Sequence, residues 1–329
     1  PRQWVISIGL NGLGRIGRNF FRAYLNDKSR NFTLTVINDI ADKETLIHLL
    51  NVSARENDIH VRFTKNGIAA DHEILFNRFP IEKLSWKQGE LIIEATGKYF
   101  SRNLAEKHLN NGARAVIISA PAENPDATLV PGINDELFDP QKHKIISSAS
   151  CTAQAVIPII KSLEPIGIDK LFISTIHPYT VNNMLLDMPG RNFRESRSCT
   201  LSIVPAQTRA DIAFEAIFPD IDFKAYSFKI PTSKVALIDL VIRMKRKTSR
   251  DEINGLLKDF SSRFPQLLEI IDTPLVSADM ECSHSSSVAD ITLTETIDYL
   301  VRVFAWYDNE WAYSMRLYEL TKIIANGLN

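Results

Sequence analysis

Cysteine is scarce: the 329-residue chain has three, Cys151, Cys199 and Cys282, at wide and irregular spacing. An odd number so placed supports neither a disulfide framework nor a zinc-binding ladder, and it suits a reducing compartment. An excess of charge of either sign is also lacking. The formal net charge is −1, so neither a nucleic-acid footprint nor an anionic-membrane footprint is expected. The strongest basic cluster, "RMKRKTSR" at 243–250, reads as a strand end and loop. No uninterrupted apolar run is long enough to cross a bilayer, and the opening "PRQWVISIGLNG" shows no charged-then-apolar leader. Internal repeats and low-complexity stretches are missing. These absences lead to the expectation of a soluble cytoplasmic protein with no nucleic-acid, membrane or metal partner.

What is present is ample core material, 45% hydrophobic residues over a length that exceeds one ordinary core. Up to about residue 150, short β-rich runs ("WVISIGL", "FTLTVIND", "ELIIEATG", "RAVIISAPA", "HKIISSAS") alternate with helical patterns ("IGRNFFRAYLND", "ADKETLIHLLN", "SRNLAEKHLNNGA"). Strand–helix alternation implies parallel pairing with right-handed crossovers, so 1–150 is expected to be a doubly wound, Rossmann-type α/β domain. Past Cys151 a single helix precedes longer strand-like runs ("KLFISTIH", "AYSFKI", "VALIDLVIRMKR", "YLVRVFAWYD"). Two further helical segments interrupt these runs, predicting an α+β domain with a mixed sheet over 151–312. "SARENDIH" and "ECSHSSSVAD" read as loops. A terminal helix, 313–329, carries Met315, Leu317, Leu320, Ile323 and Ile324 at core spacing and is expected to pack back on the first domain.

"GLGRIG", Gly12–Gly17, fits G-x-G-x-x-G between a strand and a helix. Glycines there permit a tight turn and bring backbone amides to a pyrophosphate at the helix N-terminus. Asp39 ends the second strand at the distance where a carboxylate accepts bonds from a ribose diol and repels a 2′-phosphate, favouring NAD over NADP. The plain alternative is a glycine turn beside a solvated aspartate.

"SSASCTAQAVIP" sets Cys151 at the start of a helical pattern, among hydroxyls. Free amides and the macrodipole at a helix N-terminus favour a thiolate. A nucleophilic thiolate also needs a basic partner. Among seven histidines, His177 ends a strand and precedes polar, turn-forming residues; a structural histidine there is an equal alternative on the residues alone. Cys199 and Cys282 read as structural.

Several stretches together, "NGLGRIGR", "ATGKYF", "SSASCT", "HPYT", "VALIDL" and "AWYDNEWAYS", resemble the phosphorylating glyceraldehyde-3-phosphate dehydrogenase family along nearly the whole chain. Erythrose-4-phosphate dehydrogenase is a close sister family. The resemblance implies NAD as cofactor, a homotetramer, and oxidation of a sugar-phosphate aldehyde through a cysteine hemithioacetal and thioester, closed by inorganic phosphate. It places the nucleophile on Cys151 and the base on His177, which would also lower the thiol pKa. Cofactor contacts fall on Gly12, Gly14, Arg15, Ile16, Gly17, Asp39, Thr96, Gly97, Ser119 and Asn309. Phosphate contacts fall on Ser150, Thr152, Thr180, Asn182, Arg197, Thr208, Arg209 and Lys229.

The chain departs from the family pattern at its anion sites. Where the family usually offers Thr, Asp and Arg for the substrate phosphate, this chain has Thr180, Asn182 and Lys229. Lysine keeps the charge but loses the planar bidentate fork. Arg209 stands where the family has glycine after the last threonine. It could add phosphate affinity, block the site, or be a solvated cation at a helix start. Oxidation of erythrose 4-phosphate, with water as the acyl acceptor, is therefore an alternative to phosphorylating oxidation of the triose.

Overall fold

The computed structural model describes residues 6–52, 61–86, 90–181, 183–190 and 192–328. Trp4 and Val5 of the first expected strand, the expected loop at 53–60, and Asn182 lie outside these residues. The chain divides into two compact units, one formed by Pro1–Ala149 with Ser314–Asn329 and the other by Ser150–Tyr313.

In chain order the first unit runs β1 (Ile6–Asn11), α1 (Arg15–Asn26), β2 (Phe32–Asn38), α2 (Lys43–Val52), β3 (Arg62–Phe63), β4 (Gly67–Ala69) and β5 (Glu73–Asn77). It continues with β6 (Leu91–Glu94), α3 (Arg102–Asn110), β7 (Ala115–Ile118), β8 (Ala127–Thr128) and β9 (Ile145–Ser147). The nine strands form one sheet in the order β3-β4-β5-β2-β1-β6-β7-β9-β8. Pairing is parallel from β5 through β8, and only the β3–β4–β5 edge is antiparallel. The first unit is thus the expected doubly wound α/β sheet.

The near-continuous apolar runs follow from burial on both faces. Leu91, Ile93 and Ile117 join a core on one face with Phe20 and Tyr24 of α1, while the alternate residues Ile92, Val116 and Ile118 join a second core containing Ala105 of α3. Strand periodicity of two sends neighbours to opposite faces, so each apolar residue of β6 and β7 finds an apolar layer. The antiparallel edge and β8 escaped the sequence reading because strands of two to five residues are too short to show alternation.

The second unit holds α4 (Cys151–Leu163), β10 (Ile168–Pro178), β11 (Val204–Gln207), α5 (Ala210–Ile217), β12 (Asp222–Ile230), β13 (Ala236–Met244), α6 (Arg250–Arg263), β14 (Leu268–Ile271), β15 (Ser287–Ile297) and β16 (Leu300–Tyr307). Its seven-stranded sheet, β11-β12-β10-β13-β16-β15-β14, is mixed, as expected. One expectation fails: "ECSHSSSVAD" is not a loop throughout. Ser287–Asp290 open β15, paired in parallel with β14, and Ser285, Ser286 and Ser287 are buried. Backbone pairing and burial outweigh the low β-propensity of serine there. The basic stretch 243–250 is the end of β13, a loop and the start of α6, with Arg243 paired to Asp169, Arg246 to Glu252 and Lys247 to Asp298.

The last helix, α7 (Trp311–Leu328), belongs to the first unit from Ser314 onward. Leu317, Leu320, Ile324 and Leu328 join the core of β1, β2 and α1, and Tyr318 packs its ring on Phe20 and Phe32 at 5.6 and 5.4 Å between centroids. Beside them Asp27, just past the end of α1, accepts from Lys322 Nζ at 2.7 Å and from the Tyr318 hydroxyl at 3.1 Å. Burial alone would raise the Asp27 carboxyl, but the bonds from Lys322, Ser29 and Tyr318 outweigh it and hold it far below the usual carboxylate range. A carboxyl depressed in the folded state contributes stability that is fully present above its unfolded pKa and fades as pH falls through that value toward the folded one. Asp27→Asn is therefore expected to cost about 1 kcal/mol at neutral pH. Thermal melts of the two proteins should converge as pH drops below about 4; a gap that does not change with pH would refute the assignment.

Candidate active site

The glycine turn is built by contacts that exclude side chains. Gly12 has φ +100°, and a Cβ on it would lie 2.7 Å from the Thr96 amide nitrogen; one on Gly17 would lie 2.0 Å from the Gly12 carbonyl oxygen. Gly14 differs, since nothing lies within 4 Å of its would-be Cβ. It is the N-cap of α1, with no acidic residue in the first turn. No side chain caps this helix end, as an anion site requires.

A cavity of about 220 Å³ opens at the carboxyl ends of the parallel strands, lined by Gly12, Gly14, Asp39 and Thr96 from the expected set. Strand order reverses at β1, with β2 on one side and β6 on the other, and such switch points are where α/β sheets hold ligands. Asp39 is fixed there by two amides: Leu13 N donates to Oδ2 at 2.7 Å and Ala41 N to Oδ1 at 2.8 Å. The open helix end and the pre-oriented carboxylate fit a dinucleotide.

Of the other expected cofactor contacts, Arg15, Ile16 and Gly17 form the first turn of α1, and Gly97 takes φ +69° in the turn after β6. Ser119 follows β7, its amide bonded to the Glu94 carbonyl. Sequence reasoning missed Asn11, Asn38, Phe79, Lys98 and Tyr99, which also line the cavity. No fingerprint marks them, although Asn11 and Asn38 are polar residues closing apolar strands.

In the second unit, Cys151 is the first residue of α4. Ser150 caps the helix, its Oγ accepting from Ala153 N at 3.0 Å. The preceding Ala149 holds φ +59°, a conformation uncommon for a side-chain-bearing residue and frequent at functional turns. His177, at the end of β10, brings Nε2 to 3.8 Å from the Cys151 sulfur. Its Nδ1 stands 2.6 Å from the Pro178 carbonyl oxygen, which can only accept. Nδ1 therefore carries the proton and donates, which leaves the Nε2 lone pair toward the thiol, the orientation of a base.

Tyr307, overlooked within "AWYDNEWAYS", completes the surroundings. Its buried ring meets His177 edge-on, with centroids 6.1 Å apart, and its hydroxyl lies 2.9 Å from Thr152 Oγ1. Burial and the nearby Cys151 push its phenol well above the ordinary value, so it stays protonated.

The sulfur departs from expectation in one respect. Burial pushes the Cys151 thiol above its usual value; the Lys229 ammonium is the largest opposing influence, followed by hydrogen bonding at Thr152. Lys229 reaches this position through strand register, since β12 pairs in parallel with β10 and sets Lys229 opposite His177. The lysine expected at the substrate phosphate thus also favours the thiolate.

The remaining anion-site residues are not all gathered. Thr208 and Arg209 follow the end of β11 that lies opposite Tyr226, whereas the other end, Val204, faces Lys229. Thr208 Oγ1 accepts from Ala210 N at the start of α5. Arg197 is exposed and bonded to Asp187 at 2.9 Å, and Thr180 is held by Asn183. Asn309 is buried, and its Oδ1 has no hydrogen-bond partner among the described residues. Among the described residues, no cluster of His, Cys, Asp and Glu could hold a metal ion, and no helix is long and apolar enough to cross a membrane.

Two models of one family match the chain: glyceraldehyde 3-phosphate dehydrogenase, NAD binding domain, over residues 6–102, and its C-terminal domain over 150–309. The chain belongs to this family. Among curated relatives, glyceraldehyde-3-phosphate dehydrogenase 2 of Nostoc sp. is 37% identical over 98% of this chain and 99% of its own length. The Geobacillus stearothermophilus enzyme is 37% identical over 98% of each chain, and glyceraldehyde-3-phosphate dehydrogenase 1 of Bacillus subtilis is 36% identical over 97% and 98%. This member of the glyceraldehyde-3-phosphate dehydrogenase family is an NAD-dependent oxidoreductase, and NAD is its cofactor.

If Lys229 supplies the charge that favours the thiolate, Lys229→Met should move the midpoint of Cys151 alkylation by iodoacetamide to higher pH. An unchanged pH profile would show that the ammonium does not act on the sulfur.

Proposed function

We propose that this protein catalyses the NAD-dependent, phosphorylating oxidation of glyceraldehyde 3-phosphate to an acyl phosphate. The observation that carries the reading is the 3.8 Å approach of the His177 Nε2 lone pair to the sulfur that opens α4. Because burial disfavours the free thiolate, His177 draws the thiol proton as sulfur adds to the aldehyde carbon. The imidazolium returns that proton to the alkoxide oxygen, completing the hemithioacetal. His177 then accepts its hydroxyl proton as the carbon is oxidised to a thioester. NAD, held by the glycine turn, Asp39 and Thr96, supplies the two-electron acceptor when bound. Inorganic phosphate attacks the thioester carbonyl, the carbon–sulfur bond breaks, and Cys151 leaves as thiolate. Amides at the start of α4 steady the developing oxyanion.

Lys229 and Thr180 stand for the substrate phosphate, together with Asn182, while Ser150, Thr152, Arg197, Thr208 and Arg209 stand for inorganic phosphate. Thr152 and Ser150 already serve Tyr307 and the helix cap, so their hydroxyls reach an anion only with the bonding capacity left over. The same changes, lysine for arginine and Arg209 for glycine, support erythrose 4-phosphate as the second reading.

Exposed apolar side chains gather on one stretch of the second unit, including Val181, Leu186, Phe193 and Leu201, with Phe193 97% exposed. Together with the family resemblance, these exposed side chains support a homotetramer. Three cysteines without disulfides support a cytoplasmic setting.

NADH formation should be faster from glyceraldehyde 3-phosphate than from erythrose 4-phosphate and should require phosphate, and Cys151→Ser should abolish it while retaining NAD binding. Preference for the tetrose without need of phosphate would reverse the substrate assignment. Light scattering should give the mass of four chains; a monomer at working concentration would overturn the tetramer.

A further inference from the structure

The carboxyl ends of β2, β1 and β6 carry three polar side chains at one level of the sheet. Asn38 is the register partner of Asn11, and Asn11 of Glu94. All three are buried. Asn38 Nδ2 donates to Asn11 Oδ1 at 2.8 Å, and Asn11 Nδ2 donates to Glu94 Oε2 at 2.6 Å, forming a rung across three strands. Glu94 Oε1 accepts from the Thr96 amide at 2.7 Å and from the Thr96 hydroxyl.

The second donor to Oε2 comes from α3. His108, fully buried, sets Nε2 2.9 Å from Glu94 Oε2, while Trp86 Nε1 stands 3.0 Å from His108 Nδ1. An indole N–H can only donate, so Nδ1 accepts and the imidazole proton sits on Nε2, aimed at the carboxylate. Gly9 makes room for this indole, since a Cβ there would lie 2.9 Å from the Trp86 ring. Each carboxylate oxygen thus accepts two bonds, as a buried charge requires.

The network ends at the cavity walls. Asn11, Asn38, Phe79 and Thr96 all line the cavity, and Asn38 clasps Phe79 through its backbone, accepting from Phe79 N at 3.0 Å and donating to Phe79 O at 3.1 Å. Apolar residues occupy the preceding level, Leu10, Ile37 and Ile93, so the same strands could have continued an apolar core at lower desolvation cost. What the polar rung adds is fixed geometry.

We infer that Glu94 is a positioning residue for the cofactor cavity: its carboxylate, clamped by His108, sets the Asn11–Asn38 rung and the Thr96 turn where the dinucleotide meets them. The inference rests on the reading that this cavity takes NAD. Glu94 does not itself line the cavity; it acts through residues that do.

The full-length protein is titrated with NAD by calorimetry, and kcat and KM are measured in parallel. Glu94→Gln, which turns an acceptor toward donors as an amide, should raise the NAD Kd and KM about tenfold with kcat nearly unchanged. Should that variant fail to fold, a pair at His108 decides. His108→Leu removes the donor and should weaken NAD several-fold, whereas His108→Gln can present an N–H to Glu94 and should restore binding. Unchanged Kd in His108→Leu, or equal loss in both His108 variants, would overturn the inference. Asp39→Ala separates the two levels. If it weakens NAD while the Glu94 and His108 variants do not, the positioning role alone falls; if it too leaves NAD binding intact, the reading of the cavity falls and the inference with it.

Discussion

The contact on which the catalytic geometry depends is the bond from His177 Nδ1 to the Pro178 carbonyl, one residue along the chain. It costs the fold little, since backbone and ring are already neighbours, yet it decides the tautomer. With the proton held at Nδ1, Nε2 offers a lone pair to the Cys151 sulfur, as the proposed proton transfer requires. The opposite tautomer would present an N–H to the thiol and provide no base. Tyr307, edge-on to the ring and anchored at Thr152, limits the imidazole to this orientation.

Electrostatics around the sulfur divide the work differently from the pattern suggested by residue types. Burial disfavours a standing thiolate, so the proposed mechanism calls for a base at the moment of attack. Lys229 moderates the burial penalty from the adjacent strand. The same lysine is the candidate ligand of the substrate phosphate. An arriving dianion would offset its influence on the sulfur, so substrate binding and thiol acidity are coupled through one ammonium.

Much of the architecture is written in local pattern. The apolar runs of β1, β2, β6 and β7 record burial on both sheet faces. The glycine turn records contacts as close as 2.0 Å between would-be side chain and backbone. Cys151 among hydroxyls marked the start of a helix, and α4 begins there. Where pattern was weak the reading fell short. β3, β4 and β8 are too brief to show a period, and Ser287, which opens β15 in a serine-rich stretch of loop composition, lies buried in a ladder. Asn11, Asn38 and Glu94 carry no local signal, because nothing in one dimension shows that three such strand ends share a level.

The sequence by itself determined the classes of element, the order in which they alternate, the anion-ready turn at Gly12–Gly17 and the placement of a cysteine at a helix start. These follow from propensities, periodicities and steric limits that act over a few residues. Tertiary structure alone decided which of seven histidines would face the sulfur, which cation would stand beside it, and that a glutamate, a histidine and a tryptophan would join beneath the cavity. Each of those pairings depends on strand register and on the return of distant segments to one place. Such contacts are selected by the burial and hydrogen-bond demands of the whole sheet, which no short stretch of chain contains.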